Sequence, residues 1–445
     1  MGKTLQHVLV IGFALFALYF GAGNLIYPPA VGNAAGEQWL PALLGFCLTG
    51  VILPLLAVVA IYNTGGTMKA LTQPMGTWFY KVFNTVLMVC IGMCLTIPRM
   101  AAITHEIGVT SFAPNIPQFV SVAVFFVICF YFAIDPLNVI DKIGKWLTPV
   151  LVLILLVIIG KGIFTPIGEI TDTGVTGQFS SSVITAYQTG DVGTGILVAP
   201  IFLAAVLNYG YRKKAFKKMV WSGILVAMIA LIVVYGGLLY IGATSSSLLP
   251  TPASNTELLA GIVEIALGGF GKYALAIAII LACLTSAIGV MAIAAEFLNE
   301  LTKNMLGYKS WVGIIAIIGT VIGSLGVDKI GEFTTPILLI IYPPVIVLVL
   351  LGVMDRFVPN AGAYRGAMLL TFFVSIIETT ASYGYSIPGL TPFIYHLPLQ
   401  SIGFAWVVPA ITGFIAGAIF HKVFKWESPV KHTFEQAELK EGESI

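Results

Sequence analysis

The sequence predicts an all-α polytopic membrane protein with about twelve transmembrane helices. Hydrophobic residues make up 58% of its 445 residues, charged residues only 9%, and the mean hydropathy is +0.98. Soluble globular proteins carry about a quarter charged residues, so this composition excludes a large soluble domain. Two apolar segments in corresponding positions are also interrupted by glycines, which is typical of transporters built from inverted repeats.

Apolar runs long enough to cross a bilayer follow one another along nearly the whole chain. The predicted spans are about 5–33, 39–62, 78–107, 118–134, 147–164, 181–208, 219–242, 271–301, 311–327, 335–353, 366–382 and 402–421. Residues 1–422 therefore form one transporter domain, followed by a charged cytoplasmic tail at 423–445. With five spans in each repeat, the repeats cover about 5–164 and 181–353, and helices 11 and 12 follow at about 366–421. The polar-to-apolar stretch 244–270 predicts an amphipathic helix at the membrane surface.

Lysine and arginine concentrate in alternate loops, which predicts that both termini are cytoplasmic. The predicted outer loops keep only Lys161, Lys272 and Lys329. Because the basic residues are spread over many short loops, they do not indicate binding of nucleic acid. The lipid bilayer is the expected surrounding, and no obligate protein partner is evident from the sequence.

The first interruption is the stretch Tyr-Phe-Gly-Ala-Gly-Asn-Leu-Ile-Tyr-Pro-Pro at 19–29, in the middle of the first span. In hydrocarbon, a non-helical backbone is tolerated only where protein or a polar cavity satisfies its polar groups. A half-helix beginning near Gly23 would offer free N–H groups and a positive dipole end to a carboxylate. The alternative is a packing face where the glycines let two helices touch. Asn24 and the double proline favour the break.

The second interruption, in the sixth span, contains Thr189, Gly190 and Asp191. Asp191 is the carboxylate that falls nearest the middle of the membrane, where it could meet a substrate ammonium, a coupling cation or a proton. It could equally be a helix cap, and the two interpretations stay open. Arg99 in the third span is expected to extend its long side chain to the interface, with an outer gate paired to an acid as the alternative.

The eighth span contains adjacent hydroxyls, Thr285 and Ser286, after Ala282. Such hydroxyls either bond back to a carbonyl of the preceding turn or help to coordinate a hard cation such as Na⁺. The five histidines (His7, His105, His396, His421 and His432) all fall at span ends or in tails. Since no catalytic set converges at one depth, the sequence predicts a carrier and not an enzyme.

Three stretches resemble the BrnQ-type branched-chain amino acid:cation symporter family of the amino acid–polyamine–organocation superfamily. They are the block at 20–29, Thr-Gly-Asp at 189–191, and Pro-Ile-Leu-Leu-Ile-Ile-Tyr-Pro-Pro at 336–344. The resemblance implies a LeuT-type fold, a five-plus-five inverted repeat with helices 1 and 6 unwound, in the bacterial inner (plasma) membrane. It also implies import of leucine, isoleucine and valine with Na⁺ or H⁺.

The resemblance also implies site residues. The substrate carboxylate would lie at the amides of Gly21, Ala22 and Gly23, with Asn24 near a second, carboxylate-linked sodium site, and Thr189, Gly190 and Asp191 across from them. The coupling Na⁺ would be held by the carbonyls of Ala17, Phe20 and Ala282 and the hydroxyls of Thr285 and Ser286. The fifth helix has no lysine in its middle to replace a cation, which favours Na⁺. The alternatives are H⁺ coupling or a carrier of the same fold for another small solute.

Overall fold

The computed structural model describes residues 2–21, 23–134, 150, 152–249 and 254–424, and every regular element in these ranges is helical. Within these ranges, seven helices are long and apolar enough to cross a membrane, and five shorter apolar helices accompany them. Each predicted span has a helical counterpart, although the count of twelve membrane crossings stays a prediction. Ala22, parts of the predicted fifth span and residues 425–445 of the predicted tail lie outside the described residues.

The first span is broken, as predicted. Helix α1 (Lys3–Tyr19) ends where Phe20 adopts an extended backbone (φ −79°, ψ 91°), and α2 (Gly23–Ala35) begins three residues later. The Asn24 N–H donates to the Gly21 carbonyl, three residues earlier, at 3.2 Å. In an α-helix it would donate to the carbonyl four residues earlier. Pro28 and Pro29 lie inside α2 and cannot donate, which leaves two more carbonyls without their helical partner.

The second and third spans contain unusual turns. In the second, α3 (Trp39–Cys47) and α4 (Leu53–Asn63) are joined by a π-helical segment at Leu48–Ile52. The third runs from α6 (Thr77–Val86) through π-helical Leu87–Thr96 to α7 (Ile97–Ile103), then through π-helical Thr104–Val109 to α8 (Thr110–Phe112). The segments Leu48–Ile52 and Leu87–Thr96 each end two residues before a proline, Pro54 or Pro98. Since proline has no N–H to donate to the residue four earlier, the hydrogen-bond register changes ahead of it.

The sixth span is also broken, within the stretch that the sequence indicated. Helix α11 (Gln178–Thr185) tightens into a 3₁₀ turn at Ala186–Thr189, and Gly190 then takes a left-handed conformation (φ 79°) that glycine adopts without strain. Helix α12 (Asp191–Asn208) starts at the next residue. The break thus covers 186–190, which includes Thr189 and Gly190 of the predicted interruption, and Asp191 already belongs to the helix that follows.

The remaining helices follow the hydrophobic pattern. They are α5 (Met68–Thr72), α9 (Gln118–Ala133), α10 (Val152–Phe164), α13 (Lys213–Thr244), α14 (Asn255–Leu301), α15 (Tyr308–Gly323), α16 (Val327–Val353), α17 (Ala361–Ser382), α18 (Leu390–Tyr395) and α19 (Val407–Val423). The predicted amphipathic helix is the first part of α14 and bends into the eighth span at Gly268 (φ 64°). Leu258, Leu259, Ile262 and Val263 are buried on it, as the amphipathic pattern predicts, whereas the apolar Ile265 of the same pattern is 49% exposed. Its location at a membrane surface stays a prediction.

The chain packs into two compact units. The first comprises Met1–Leu48, Thr85–Gly190 and Leu225–Thr334, and the second comprises Thr49–Asn84, Asp191–Ile224 and Thr335–Ile445. In the first unit α14 packs against α2, α7, α9 and α15, while in the second α12 packs against α4 and α17 against α19. This grouping joins segments from both predicted repeats. The repeat boundaries themselves stay predictions.

Glycines bring α17 and α19 of the second unit into backbone contact. A Cβ on Gly366 would lie 2.0 Å from the Gly413 carbonyl oxygen, and one on Gly413 would lie 2.2 Å from the Gly366 oxygen. Gly362 and Gly417 repeat the arrangement one turn away. This small-residue packing is common between membrane helices, where close approach supplies dispersion contacts.

Candidate functional site

The break in the first span is buried deep in the first unit. Tyr19, Phe20 and Asn24 are each at most 2% exposed, and Gly21 and Gly23 are buried as well. A Cβ on Gly23 would lie 3.7 Å from the Cα of Thr189, so the two interrupted segments approach each other at these residues. The first-unit members of the predicted substrate site, Gly21, Gly23, Asn24, Thr189 and Gly190, are therefore all buried, and Gly23 and Thr189 are neighbours.

Asp191 is 3% exposed and is the first residue of α12. A carboxylate at this end of a helix interacts favourably with the helix dipole, so the position suits a cap. It also follows directly on the Gly190 turn, next to the predicted substrate segment. Both interpretations of Asp191 therefore stay open.

Tyr235 on α13 fixes the geometry of the first break. Its hydroxyl is bonded to the Asn24 side-chain Nδ2, and both residues are at most 1% exposed. Its ring stacks on Phe20 at 6.1 Å between centroids and meets Phe46 edge-on at 5.6 Å. Tyr235 thus contacts one residue on each side of the break. Sequence reasoning missed it, although a phenol in the middle of an apolar span is a signal, because a buried tyrosine hydroxyl needs a partner.

Close backbone contact joins α2 to α13. A Cβ on Gly32 would lie 1.8 Å from the Leu239 carbonyl oxygen, and one on Gly242 would lie 2.1 Å from the Pro29 oxygen. The side chain of Asn33 adds hydrogen bonds to Ser245 Oγ at 2.9 Å and to the Leu249 carbonyl at 3.0 Å. These contacts set the position of the half-helix whose N-terminus faces the break.

Two of the predicted cation ligands, Ala282 and Thr285, are in direct contact. Thr285 and Ser286 are partly buried on α14, and the Thr285 hydroxyl donates to the Ala282 carbonyl at 2.9 Å. That bond is the local back-bonding that the sequence left as an alternative, and it also places two of the predicted oxygen ligands side by side. Helix α14 packs against α2, the half-helix that follows the predicted Phe20 carbonyl. The complete Na⁺ site stays a prediction.

The side chain of Arg99 lies in a different environment from the one that the sequence predicted. Its side chain is 3% exposed and bonds to Gln188 in the sixth-span turn and to Thr334 on α16, so the prediction that it extends to the interface was wrong. The Gln188 backbone carbonyl is available as an acceptor because the 3₁₀ turn at Ala186–Thr189 leaves it outside an α-helical ladder. The described partners of the guanidinium are neutral, unlike the acid of the predicted outer gate.

Comparisons with known proteins agree with this architecture. Over 96% of its length the chain superposes on the structure described as the inward-facing conformation of Mhp1, covering 94% of that chain with a TM-score of 0.59 and 13% identity. It also matches MhsT in complex with L-phenylalanine, with a TM-score of 0.55 and 15% identity over 92% of this chain and 98% of the other. The predicted LeuT-type fold is therefore confirmed.

Sequence comparisons are more specific. The branched-chain amino acid permease BraB of Bacillus subtilis is 34% identical over 424 residues, which is 93% of this chain and 95% of BraB. Because the relatives are named as permeases and the structural neighbours are transporters, the prediction that the chain is not an enzyme is confirmed. A family model described as "Branched-chain amino acid transport protein" matches residues 4–424, so the chain belongs to this family of membrane transport proteins.

Proposed function

We propose that this protein is a secondary symporter that imports leucine, isoleucine and valine across the bacterial inner membrane, coupled to Na⁺ by alternating access. The substrate class is supported by the family and by the name of the Bacillus relative. Import with both termini in the cytoplasm is supported by the lysines and arginines in alternate loops. The observation that carries the proposal is the buried approach of two helix breaks at Gly23 and Thr189.

The amino acid binds with its carboxylate at the N-terminus of α2, at the amides of Gly21, Ala22 and Gly23, because the first N–H groups of a helix have no acceptor within that helix. Its ammonium is held by carbonyls freed at the two breaks, with Asp191 as a further partner. The branched side chain is selected by pocket shape, which discriminates one methylene by only about 1–3 kcal/mol. The three branched-chain substrates are therefore expected to compete with one another.

Sodium is held by oxygen ligands from the end of α1 and from α14. Ala17 and Phe20 supply carbonyls, while Ala282, Thr285 and Ser286 supply a carbonyl and two hydroxyls, the ligand type that a hard cation prefers. The membrane potential contributes about 2.3 kcal/mol per charge for each 100 mV. Binding of Na⁺ stabilises one arrangement of the carrier, and movement of the helices then exposes the site to the other side.

Removing both eighth-span hydroxyls is expected to weaken Na⁺-driven uptake of leucine by lowering the affinity for Na⁺. The test is radiolabelled leucine uptake into proteoliposomes, with inward Na⁺ and inward H⁺ gradients imposed separately, for the parent and for Thr285→Ala/Ser286→Ala. We expect the parent to accumulate leucine with Na⁺ and the variant to lose at least about tenfold in apparent Na⁺ affinity, because two oxygen ligands are gone.

A matched control is Thr320→Ala/Ser324→Ala at the C-terminal end of α15. The Thr320 and Ser324 hydroxyls donate to backbone carbonyls of α15 at 2.8 and 2.6 Å. This variant should keep Na⁺-driven uptake. Uptake driven by H⁺ alone would contradict Na⁺ coupling and direct attention to Asp191. Absence of leucine uptake under both gradients would contradict the proposed substrate class and favour a carrier for another small solute.

A further inference from the structure

Arg99 is a buried cation in the middle of the first unit, and its hydrogen-bond donors are only partly used. Nη1 donates to the Gln188 carbonyl, and Nη2 is 3.4 Å from Gln188 Oε1 and 3.5 Å from Thr334 Oγ1. Nε is buried and has no acceptor among the described residues. A guanidinium has five N–H donors, so this one keeps capacity for a further acceptor.

The charge balance around Arg99 points to the nature of that acceptor. The partners that it has are a carbonyl, an amide and a hydroxyl, and none of them carries a negative charge. A buried arginine in a membrane segment is costly, and such residues normally pair with an anion or line a functional pathway. An anionic ligand would satisfy both the charge and the unused donor.

Arg99 lies beside both helix breaks. Its guanidinium carbon is 5.6 Å from the centre of the Tyr27 ring, and a Cβ on Gly23 would lie 3.5 Å from the same ring. Gln188, which accepts from Arg99, precedes Thr189, the residue next to Gly23. The neighbouring Met100 reaches to 3.1 Å from a Cβ on Gly21. The cation and the positive N-terminal end of α2 therefore share one neighbourhood.

From this geometry we propose that Arg99 binds the carboxylate of the transported amino acid, in addition to the amides at the break. The inference rests on the proposed function, since it needs an amino acid as substrate. A guanidinium fits a carboxylate through two parallel N–H bonds, which a lysine cannot make. Arg99 thereby makes the site specific for solutes with a free carboxylate and disfavours amines that carry only a positive charge.

The test compares leucine with leucinamide, which keeps the side chain and the amine but has no carboxylate. Equilibrium binding of each is measured with the purified full-length parent, Arg99→Gln and Arg99→Lys. We expect the parent to prefer leucine, and Arg99→Gln to bind leucine about 10- to 100-fold more weakly with no loss of leucinamide binding. Arg99→Lys keeps the charge but not the paired N–H donors of the guanidinium, so its affinity for leucine should lie between those of the parent and Arg99→Gln.

Two controls keep the result interpretable. Lys161→Gln removes a positive charge from an exposed position and should leave both affinities unchanged. Thermal unfolding of each variant verifies that it is folded. If Arg99→Gln is unfolded, the test is made with the charge-conserving Arg99→Lys, whose preference for leucine over leucinamide should be smaller than that of the parent. If Arg99→Gln loses affinity equally for leucine and leucinamide, or loses it for neither, the role of Arg99 is overturned while the proposed function stands. A parent that binds no amino acid would overturn the proposed function together with the role of Arg99.

Discussion

Replacing Gly32 by alanine is expected to destabilise the protein by about 3 kcal/mol or more and to abolish transport. The new methyl group would lie 1.8 Å from the Leu239 carbonyl oxygen, and this neighbour is backbone that no side-chain rotation can move. Helix α2 would have to separate from α13, which also carries the Tyr235 hydroxyl bonded to Asn24. Thermal unfolding in detergent and leucine uptake in proteoliposomes measure the two effects.

The matched control is Gly160→Ala on α10, where a Cβ would have no neighbour within 4 Å. An alanine in an open helical position generally stabilises by about 0.5–1 kcal/mol, because glycine loses more conformational freedom on folding. Equal stability of the two variants would contradict the close approach of α2 and α13.

Replacing Tyr235 by phenylalanine is expected to weaken leucine transport more than it weakens the fold. The change removes the hydroxyl bonded to Asn24 while keeping the ring against Phe20 and Phe46. Loss of a buried partner costs about 1–3 kcal/mol, and Asn24 would lose the contact that orients it at the break. We expect the KM for leucine to rise about tenfold. Initial rates of uptake over a range of leucine concentrations give this value.

Tyr240→Phe on the same helix controls for removal of a tyrosine hydroxyl. Its ring meets Trp39 edge-on at 5.3 Å, away from the break. Its KM should equal that of the parent. If Tyr235→Phe and Tyr240→Phe behave alike, the bond to Asn24 has no part in forming the site. Tyr235→Ala, which also removes the ring, should lower stability by about 3–5 kcal/mol.

The two helix breaks could be predicted because their causes are local. Glycine, asparagine and proline disfavour a continuous helix wherever they occur, and their occurrence in the middle of apolar spans makes the deviation visible. Most of the buried face of the first part of α14 was equally visible, since its apolar residues recur with helical spacing, although Ile265 of the same pattern is exposed. Break boundaries were less accurate: the sixth-span turn covers 186–190, and Asp191, which the sequence analysis included in the interruption, already begins α12.

The missed features depend on partners distant in the chain. Arg99 in an apolar helix has two solutions, reaching the interface or bonding inside the protein, and only the tertiary structure supplies Gln188 and Thr334. Gly32 and Gly366 each stand in a Gly-x-x-x-Gly pair, with Gly36 and Gly362, but this spacing does not tell which helix each glycine approaches. The π-helical segments before Pro54 and Pro98 are apolar like the α-helices around them, so the hydrophobic pattern of the sequence does not reveal them.

The central claim is that the buried breaks form a carrier site for branched-chain amino acids, and counterflow tests it most directly. Proteoliposomes are preloaded with unlabelled leucine, isoleucine, valine or lysine, with equal Na⁺ on both sides, and external labelled leucine is added. We predict transient accumulation of label with each of the first three and none with lysine, because a shape-selective apolar pocket separates these aliphatic side chains only weakly. Absence of accumulation with preloaded leucine, or equal accumulation with preloaded lysine, would contradict the claim.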